Sequence, residues 1–556
     1  MTQSANFTQM LRDRARTMPD VPALIAPADS ERKPVRNWHT ATFAQLDRRA
    51  DAFANGFAQH GAKAGDRALF LVKPSLDFYA ALFGLLRLGV VPVLIDPGMG
   101  LRRVLHCVEE IRPATVVAIP IVHAIRTLRP GPFRSASLHV TAGARWIWGG
   151  ATLEACEVPP EHPFEPAIVA AEDDAIIAFT SGSTGPAKGV SFTNRMFVRQ
   201  TELLVNEYGW DPERRMVMCF AAFVLFTISA GVTTVIPAMN LSKPSKARPE
   251  RIVEAANEHH ADFIFGSPII WMNLIRHPQA EQLRFETVRQ VITTGAPIGL
   301  DLHEKLRRHL PANASLHTPY GATEALPLTT IASDEVLDDT ASQTKAGAGT
   351  CVGRPFPGVE LEIIRVTDDP IASWSDDLRL PPGEIGEIVA CGEVVSPSYK
   401  ENERANQTSK IRRGESLMHR MGDLGYVDDA GRLWFCGRKA HRLETSDGVV
   451  PAVPVENVFN QHPSVYRSAL VGIGEPGRQV PVLCVEMESS KQLTPQVEGE
   501  LLELLRTTRW EGLVQGFLQH AGFPVDPRHN SKINREVLRA WATERWRPSS
   551  AGQAAA

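Results

Sequence analysis

The chain has 556 residues, 43% hydrophobic and 22% charged, longer than one ordinary domain and balanced like a soluble globular protein. Lys and Arg number 59 against 63 acidic residues, a formal net charge of −4, which gives no overall electrostatic case for nucleic acid or an anionic membrane as partner. Seven scattered cysteines, odd in number and without a Cys-x-x-Cys pair, argue against a disulfide framework or structural zinc and imply a reducing, cytoplasmic setting.

Met1 to Asn6 is polar, so no secretory leader is expected, and Arg12 to Arg16 falls in an amphipathic helical pattern. Strand-like and helix-like runs alternate from 40 to 330 and predict α/β layers, with a Pro/Gly-rich break at 127–133. The apolar run Ala175 to Phe179 predicts a strand. It leads into Thr180-Ser181-Gly182-Ser183-Thr184-Gly185-Pro186-Ala187-Lys188-Gly189. Glycines let backbone N–H groups approach a polyphosphate, the hydroxyls of Thr180, Ser181, Ser183 and Thr184 add donors, and Lys188 adds a positive charge. Dense Gly/Ser/Thr runs also occur as exposed turns, so this segment alone does not define a site. It is not a Walker A loop: counted from Gly182, that motif needs Gly at 187 and Ser or Thr at 189, where the chain has Ala187 and Gly189.

Met216 to Leu241 holds no charged residue and is long enough to span a bilayer. Thr227, Ser229, Gly231, Thr233, Thr234 and Pro237 interrupt it, so it predicts a buried strand and helix that also line a cavity for an apolar substrate, not a transmembrane span. Phe223, Val224, Ala230, Gly231 and Ser267 are the candidate acyl-site residues. His259-His260, and His303 with His309, lack metal-ligand spacing and predict surface or satisfied histidines. Residues 367–382 form an acidic, Pro-bearing insertion expected as a surface loop, followed by a Pro/Gly break at 381–386. Beyond Gly437 the pattern restarts as a small unit with strands at Ser468 to Ile473 and Val480 to Met487. The expected division is 1–437, 438–548 and a Ser/Gly/Ala tail at 549–556 with the composition of a disordered end. No internal repeat is visible.

The run Thr180 to Gly185 with Lys188-Gly189 resembles the phosphate loop of the adenylate-forming superfamily, which includes acyl-CoA synthetases, adenylation domains and firefly-type luciferases. It departs at Ala187, where proline is usual. Further motifs follow in the family's order. Thr294-Gly295-Ala296-Pro297 resembles the adenine-side turn, and Tyr320-Gly321-Ala322-Thr323-Glu324 the second nucleotide motif. Gly422-Asp423-Leu424-Gly425 resembles the ribose motif, and Gly437-Arg438 the segment closing the nucleotide site before the hinge. Asn530-Ser531-Lys532-Ile533-Asn534-Arg535 resembles the C-terminal catalytic lysine motif. Each alone has an ordinary explanation as a turn aspartate, a salt-bridged arginine or a solvated lysine. Their collinearity identifies the chain as similar to this family from end to end.

The resemblance implies an α/β fold: a large N-terminal adenylate-forming domain of layered sheets and helices, and a small, mobile C-terminal α+β lid domain. It implies ATP and Mg²⁺ as cofactors. Tyr320 would stack on adenine, Asp423 would accept from both ribose hydroxyls, and Glu324 would bind the magnesium on the phosphates, which suits a carboxylate and phosphate oxygens. Gly295, Ala296, Pro297, Gly321, Thr323 and Arg438 complete the nucleotide set, and Lys532, Glu324 and Thr184 would be catalytic. The first half-reaction would join a substrate carboxylate to the α-phosphorus; the carboxylate is already ionised, so no general base is required.

Amino-acid adenylation domains place an aspartate within the stretch matching Phe220 to Ala230, to pair with the substrate ammonium; here Phe223 is followed by Val224 and no acid is near. An aliphatic acid is favoured. The Pro-x-x-His pattern of acyl-CoA synthetases is absent, Ala440 stands at the hinge where Asp or Lys is usual, and Ser531 precedes Lys532 where Gly is usual. With Arg528-His529-Asn530-Ser531-Lys532, Tyr320 to Pro327 and Leu88 to Gly100, this combination resembles the β-lactone synthetase branch of bacterial long-chain olefin biosynthesis. That resemblance implies a 2-alkyl-3-hydroxy acid whose own hydroxyl attacks the acyl adenylate and closes a four-membered lactone, an internal nucleophile of high effective molarity. It also implies assembly with the pathway's lactone decarboxylase and reductase. A long-chain acyl-CoA synthetase or fatty acyl-AMP ligase is the nearest alternative. A nucleotide-binding scaffold is another, against which the presence of both Glu324 and Lys532 argues.

Overall fold

The structure, a computed structural model, describes residues 5–28, 35, 37–180, 186–296, 298–488, 491–525 and 533–547. Three sheets carry the larger part. One runs Ser315–His317, Gln290–Thr293, Phe263–Gly266, Arg215–Met218, Thr233–Val235, Pro22–Pro27, Trp38–Thr42, parallel except for its last pair. A second has Asp174–Thr180, Val91–Ile95, Arg67–Leu71, Thr115–Ala118 and Leu138–Thr141 as a parallel series, extended beyond Asp174–Thr180 by the antiparallel strands Lys188–Thr193 and Tyr399–Lys400. The third is antiparallel and includes Tyr320–Ala322, Gly386–Cys391, Ser416–Val427 and Leu433–Arg438.

Helices Phe43–Gln59 and Leu76–Arg87 knit these sheets together. The first begins where Thr42 and Gln45 cap each other reciprocally, and buries Phe43, Leu46, Ala50, Phe53 and Phe57, spaced three or four apart on one face. Ser75 caps the second. One continuous apolar core then runs from Leu24 and Val217 through Phe53 and Phe83 to Phe70, Ile176 and Ile388.

Leu433–Arg438 is the last strand of the large sheets, and from Leu443 the chain builds separate cores. Strands Val465–Ile473, Val480–Met487 and Phe517–Gln519 form a small sheet. Leu470, Leu483 and Val485 face helices Ala452–Phe459 and Pro495–Leu505, while Ala469, Val471, Val482 and Cys484 face Arg535–Arg545, the period-two alternation of a sheet covered on both sides. This large N-terminal and small C-terminal pair is the arrangement expected. The two parts touch: Trp510 Nε1 donates to the Gly347 carbonyl at 2.8 Å, and the ring leaves no room for a Cβ at Gly347.

The uncharged segment becomes the buried Met216 to Met218 of strand Arg215–Met218, the buried helix Val224–Ala230 and the buried strand Thr233–Val235, and among the described residues no helix is long and apolar enough to cross a membrane. All seven cysteines are free and buried. His303 meets Ser333 Oγ at 3.0 Å and His309 the Leu283 carbonyl at 2.9 Å. The 367–382 insertion is anchored more firmly than its composition suggests: Ile371, Trp374 and Leu378 pack on Ile364, Val389 and Met418.

Candidate active site

Parallel strands end their connections on one edge, where backbone groups and loops are free to meet a ligand. Here that edge opens into a continuous cleft of about 3980 Å³ that reaches from the large sheets to the small domain. Every described candidate nucleotide residue lines it: Thr180, Lys188, Gly295, Ala296, Tyr320, Gly321, Thr323, Glu324, Asp423 and Arg438. Ser181, Gly182, Ser183, Thr184, Gly185, Pro297 and Lys532 lie outside the described residues. Ile533, Asn534 and Arg535, which follow Lys532, line the same cleft.

Sheet register places the polar end. Thr180 and Lys188 are cross-strand partners at the end of two paired antiparallel strands. Asp423 and Arg438 face each other across strands Ser416–Val427 and Leu433–Arg438, with Arg438 Nη1 3.1 Å from Asp423 Oδ1. Tyr320 Oη donates to Asp423 Oδ2 at 2.6 Å. The angle at Arg438 leaves Oδ1 without a hydrogen bond, although it is buried. Burial raises the Asp423 carboxyl above its usual range, opposed by Arg438 and the Tyr320 hydroxyl. An aspartate with one oriented, unfilled acceptor facing a cleft is suited to a hydroxyl donor. Gly295 follows strand Gln290–Thr293 at φ +94°, a conformation that favours glycine, and Thr294 Oγ1 ties the turn to the Pro319 carbonyl at 3.0 Å.

Glu324 sits beside a cluster without a spacing motif. Its Oε1 accepts from Tyr399 Oη at 2.7 Å, and its backbone carbonyl accepts from Ser396 N at 2.8 Å. Strand Tyr399–Lys400 pairs with Val190 and Gly189, which brings the Tyr399 ring beneath the Lys188 amine at 4.8 Å. Lys410 Nζ stands 5.7 Å from the same ring and donates to the Ser396 carbonyl. Burial pushes the Lys410 amine down to about 7, with Glu324 pulling the other way. His419, edge-on to Tyr399, is driven well below the usual histidine range by burial and then by Lys410 and Lys188, and its Nδ1 has no partner. Tyr399, Lys410 and His419 escaped the motif reading. Tyr399 lies in a two-residue strand too short for periodicity, and the available signal was a His-Arg pair inside the otherwise apolar start of strand Ser416–Val427.

The apolar end is aromatic. Phe223 stacks on Phe265 at 4.6 Å and meets Phe220 edge-on at 5.4 Å, and all three line the cleft with Ala221, Ala222 and Met272. Of the candidate acyl-site residues only Phe223 reaches the cleft. Val224 and Ala230 turn into the core, while Leu225 and Phe226 of the same helix line the cleft. A Cβ at Gly231, whose φ is +91°, would meet the Arg14 side chain at 3.0 Å. Ser267 is buried behind the wall, its hydroxyl unpaired.

A doubly layered α/β body, a small capping domain and a cleft with a carboxylate–tyrosine–arginine end define the adenylate-forming class of enzyme. The chain matches the AMP-binding enzyme family over residues 11–400 and belongs to it. It is 41% identical over 554 residues to the olefin beta-lactone synthetase of Xanthomonas campestris pv. campestris, covering 98% of each chain. It is 40% identical to that of Stenotrophomonas maltophilia, covering 98% of this chain and 99% of the relative. In fold it is similar to the amide bond synthetase McbA from Marinactinospora thermotolerans, with a TM-score of 0.79, 21% identity and coverage of 97% and 99%.

Proposed function

We propose that this enzyme is an AMP-forming olefin β-lactone synthetase of the cytoplasm, acting on a long-chain 2-alkyl-3-hydroxy acid. The observation that carries the reading is the 40–41% identity to two such synthetases along the whole chain, joined to a cleft whose apolar end lacks any acid to pair a substrate ammonium. In the first step a carboxylate oxygen bonds to the α-phosphorus of ATP while the bond from that phosphorus to pyrophosphate breaks. In the second the β-hydroxyl oxygen bonds to the carbonyl carbon, the bond from that carbon to AMP breaks, and the hydroxyl proton leaves to solvent. The neutral product is the acid less one water, suited to a decarboxylating enzyme downstream.

The roles proposed for the residues rest on the family resemblance and, for the described ones, on their position along the cleft. Asp423 Oδ1, buried and unfilled, accepts from a ribose hydroxyl while Tyr320 and Arg438 hold the carboxylate in place. Gly295 and Ala296 border the base. Thr180, Lys188 and the segment 181–185 between them, Thr184 included, cradle the phosphates. Among the described residues no three His, Cys, Asp or Glu converge as a metal cage. The Glu324 carboxylate, which lines the cleft, fits Mg²⁺, which takes one or two carboxylates and completes its shell with phosphates and water. Bound there, Mg²⁺ would offset charge on the phosphate oxygens. The small domain, taken from Arg438 onward, brings Lys532 to the α-phosphate. Phe220, Phe223 and Phe265 hold the alkyl chains and exclude water.

A matched acid lacking the 3-hydroxyl tests the reading. It can be adenylated but has no internal nucleophile, so pyrophosphate release should stall after about one equivalent, and CoA should not relieve the stall. With the 3-hydroxy acid, AMP should appear continuously with the lactone. Steady CoA-dependent turnover of the deoxy acid would assign an acyl-CoA synthetase instead.

A further inference from the structure

Strands Val91–Ile95, Thr115–Ala118 and Leu138–Thr141 are parallel, so the connections after them leave the sheet at the same edge. Those connections begin helix Leu101–Ile111, helix Pro120–Leu128 and the loop 142–150. Each presents a large apolar side chain to solvent: Leu101 at 48% exposure, Ile121 at 58%, Trp146 at 64% and Ile147 at 93%. Single exposed apolar residues are ordinary; a row of them along one edge is not.

The loop that carries Trp146 and Ile147 is built to present them. Trp148 is buried, its Nε1 donating to Thr141 Oγ1 at 3.0 Å and its ring stacked on His123. Arg145 reaches back to the Gly150 carbonyl. Gly150, at φ +107°, lies so close to the His139 carbonyl that a Cβ would stand 2.3 Å from its oxygen. The loop is therefore pinned at its base and third-last residues, and its tip points outward.

The same edge is basic. Lys73, Arg102, Arg103 and Arg145 are exposed, and among the described residues none has a carboxylate within ion-pair distance. The neighbouring Asp77 is held by Arg49. A chain with a net charge of −4 thus sets cations without ion-pair partners along the edge that carries its exposed tryptophan. Leu101, Ile121, Lys73, Arg102 and Arg103 also line the cleft that holds the candidate active site, so the apolar row runs into the cleft mouth.

We propose that this edge is a docking surface for an anionic lipid bilayer. Trp146 and Ile147 enter the boundary between headgroups and acyl chains, a depth that suits an indole, and the four cations lie over the lipid phosphates. Its use rests on the long-chain-acid reading: a two-tailed acid resides in lipid, and docking lets it enter the cleft without crossing water. Cations alone bind polyanions of any kind; the outward tryptophan–isoleucine tip is what selects a bilayer.

The test is flotation of the full-length protein with vesicles, without substrate. Vesicles of equal parts phosphatidylglycerol and phosphatidylcholine should carry the protein up, phosphatidylcholine alone should not, and high salt should weaken the binding. The double variant Trp146→Ser, Ile147→Ser should lose about tenfold in partitioning, as should Arg102→Glu with Arg103→Glu. The first variant should release pyrophosphate from a short, soluble 3-hydroxy acid at the unaltered rate, which shows its fold and site intact. Absence of flotation with phosphatidylglycerol, or flotation that the double variant retains, overturns the proposal. Self-association lost in the double variant, with no flotation, overturns it in favour of a second copy of the chain. Because no turnover is read in the flotation, a protein that floats yet makes no lactone sinks the reaction assigned above and leaves the surface standing.

Discussion

The two ends of the cleft are built by opposite strategies. The polar end collects Lys188, Tyr320, Tyr399, Asp423 and Arg438 from separate strands of two sheets and fixes them by cross-strand register and short hydrogen bonds. The apolar end takes its wall largely from one continuous stretch, Phe220 to Phe226, and fixes it by ring packing. Directional bonds tolerate no displacement, so the polar end should respond to single-atom changes. Packing contacts are graded, so the apolar end should respond to volume.

The sharpest break in this comparison is at the phosphates. If Lys532 stabilises charge at the α-phosphorus, Lys532→Ala should slow pyrophosphate release by about 10²-fold or more, in the range for loss of one oxyanion donor, with ATP affinity changed far less. Rapid-quench pyrophosphate assays and calorimetric ATP binding separate the two. Unchanged release removes Lys532 from the chemistry.

Next comes Asp423, the proposed ribose contact. Asp423→Asn keeps the shape but turns a charged acceptor into a neutral amide and leaves Arg438 unpaired. A hydrogen bond to a charged group contributes about 1.5–3 kcal/mol, so ATP affinity should fall about tenfold to a hundredfold. Binding of the acid, read by its protection against proteolysis, should not change. Equal weakening for both ligands would mean that the ends are mechanically coupled.

The difference between the ends also governs what could be read from the chain. Tyr320, Glu324, Asp423 and Arg438 were legible because each falls in a short motif of fixed local spacing that resembles the family's, and the cleft gathers them. The layered α/β body and the strands at Ser468 to Ile473 and Val480 to Met487 were legible from periodicity, and appear as Val465–Ile473 and Val480–Met487. The apolar wall proposed to hold the acyl chains was legible only as a region. An uncharged stretch says that residues are buried, not which of them face the cavity, and Val224 and Ala230 face the core. Tyr399 and Lys410 were illegible because their meeting with Glu324 depends on strand pairing across residues far apart in the chain.

Two alanines sharpen the apolar side of the comparison. Ala222 lines the cleft and Ala230 lies in the core. Ala222→Leu should lower activity on long-chain acids about tenfold while short acids survive, because the added volume occupies the chain's space. Ala230→Leu should destabilise the fold by about 1–3 kcal/mol and reduce activity on long and short acids alike. Relative kcat/KM across a chain-length series, with thermal melts, distinguishes them. A length-selective loss from Ala230→Leu would move the channel behind the present wall.

The last effect expected is a pH dependence at the polar end. The Lys410 amine is buried, with its pKa pushed down to about 7, whereas an unfolded lysine titrates near 10.4. Between those values the unfolded chain binds the proton and the native chain releases it, so stability rises with pH across that window. The contribution is complete above about pH 10.4 and is lost as pH falls toward 7, with a slope of at most about 1.4 kcal/mol per pH unit. Lys410→Met removes the titration and keeps most of the side-chain volume. Urea unfolding of both proteins from pH 7 to 9.5 should show the native protein gaining on the variant as pH rises. Parallel curves would mean that Lys410 stays charged in the fold, held by Glu324 and the Ser396 carbonyl. The polar end would then rest on an ion pair where the buried geometry argues for a neutral amine.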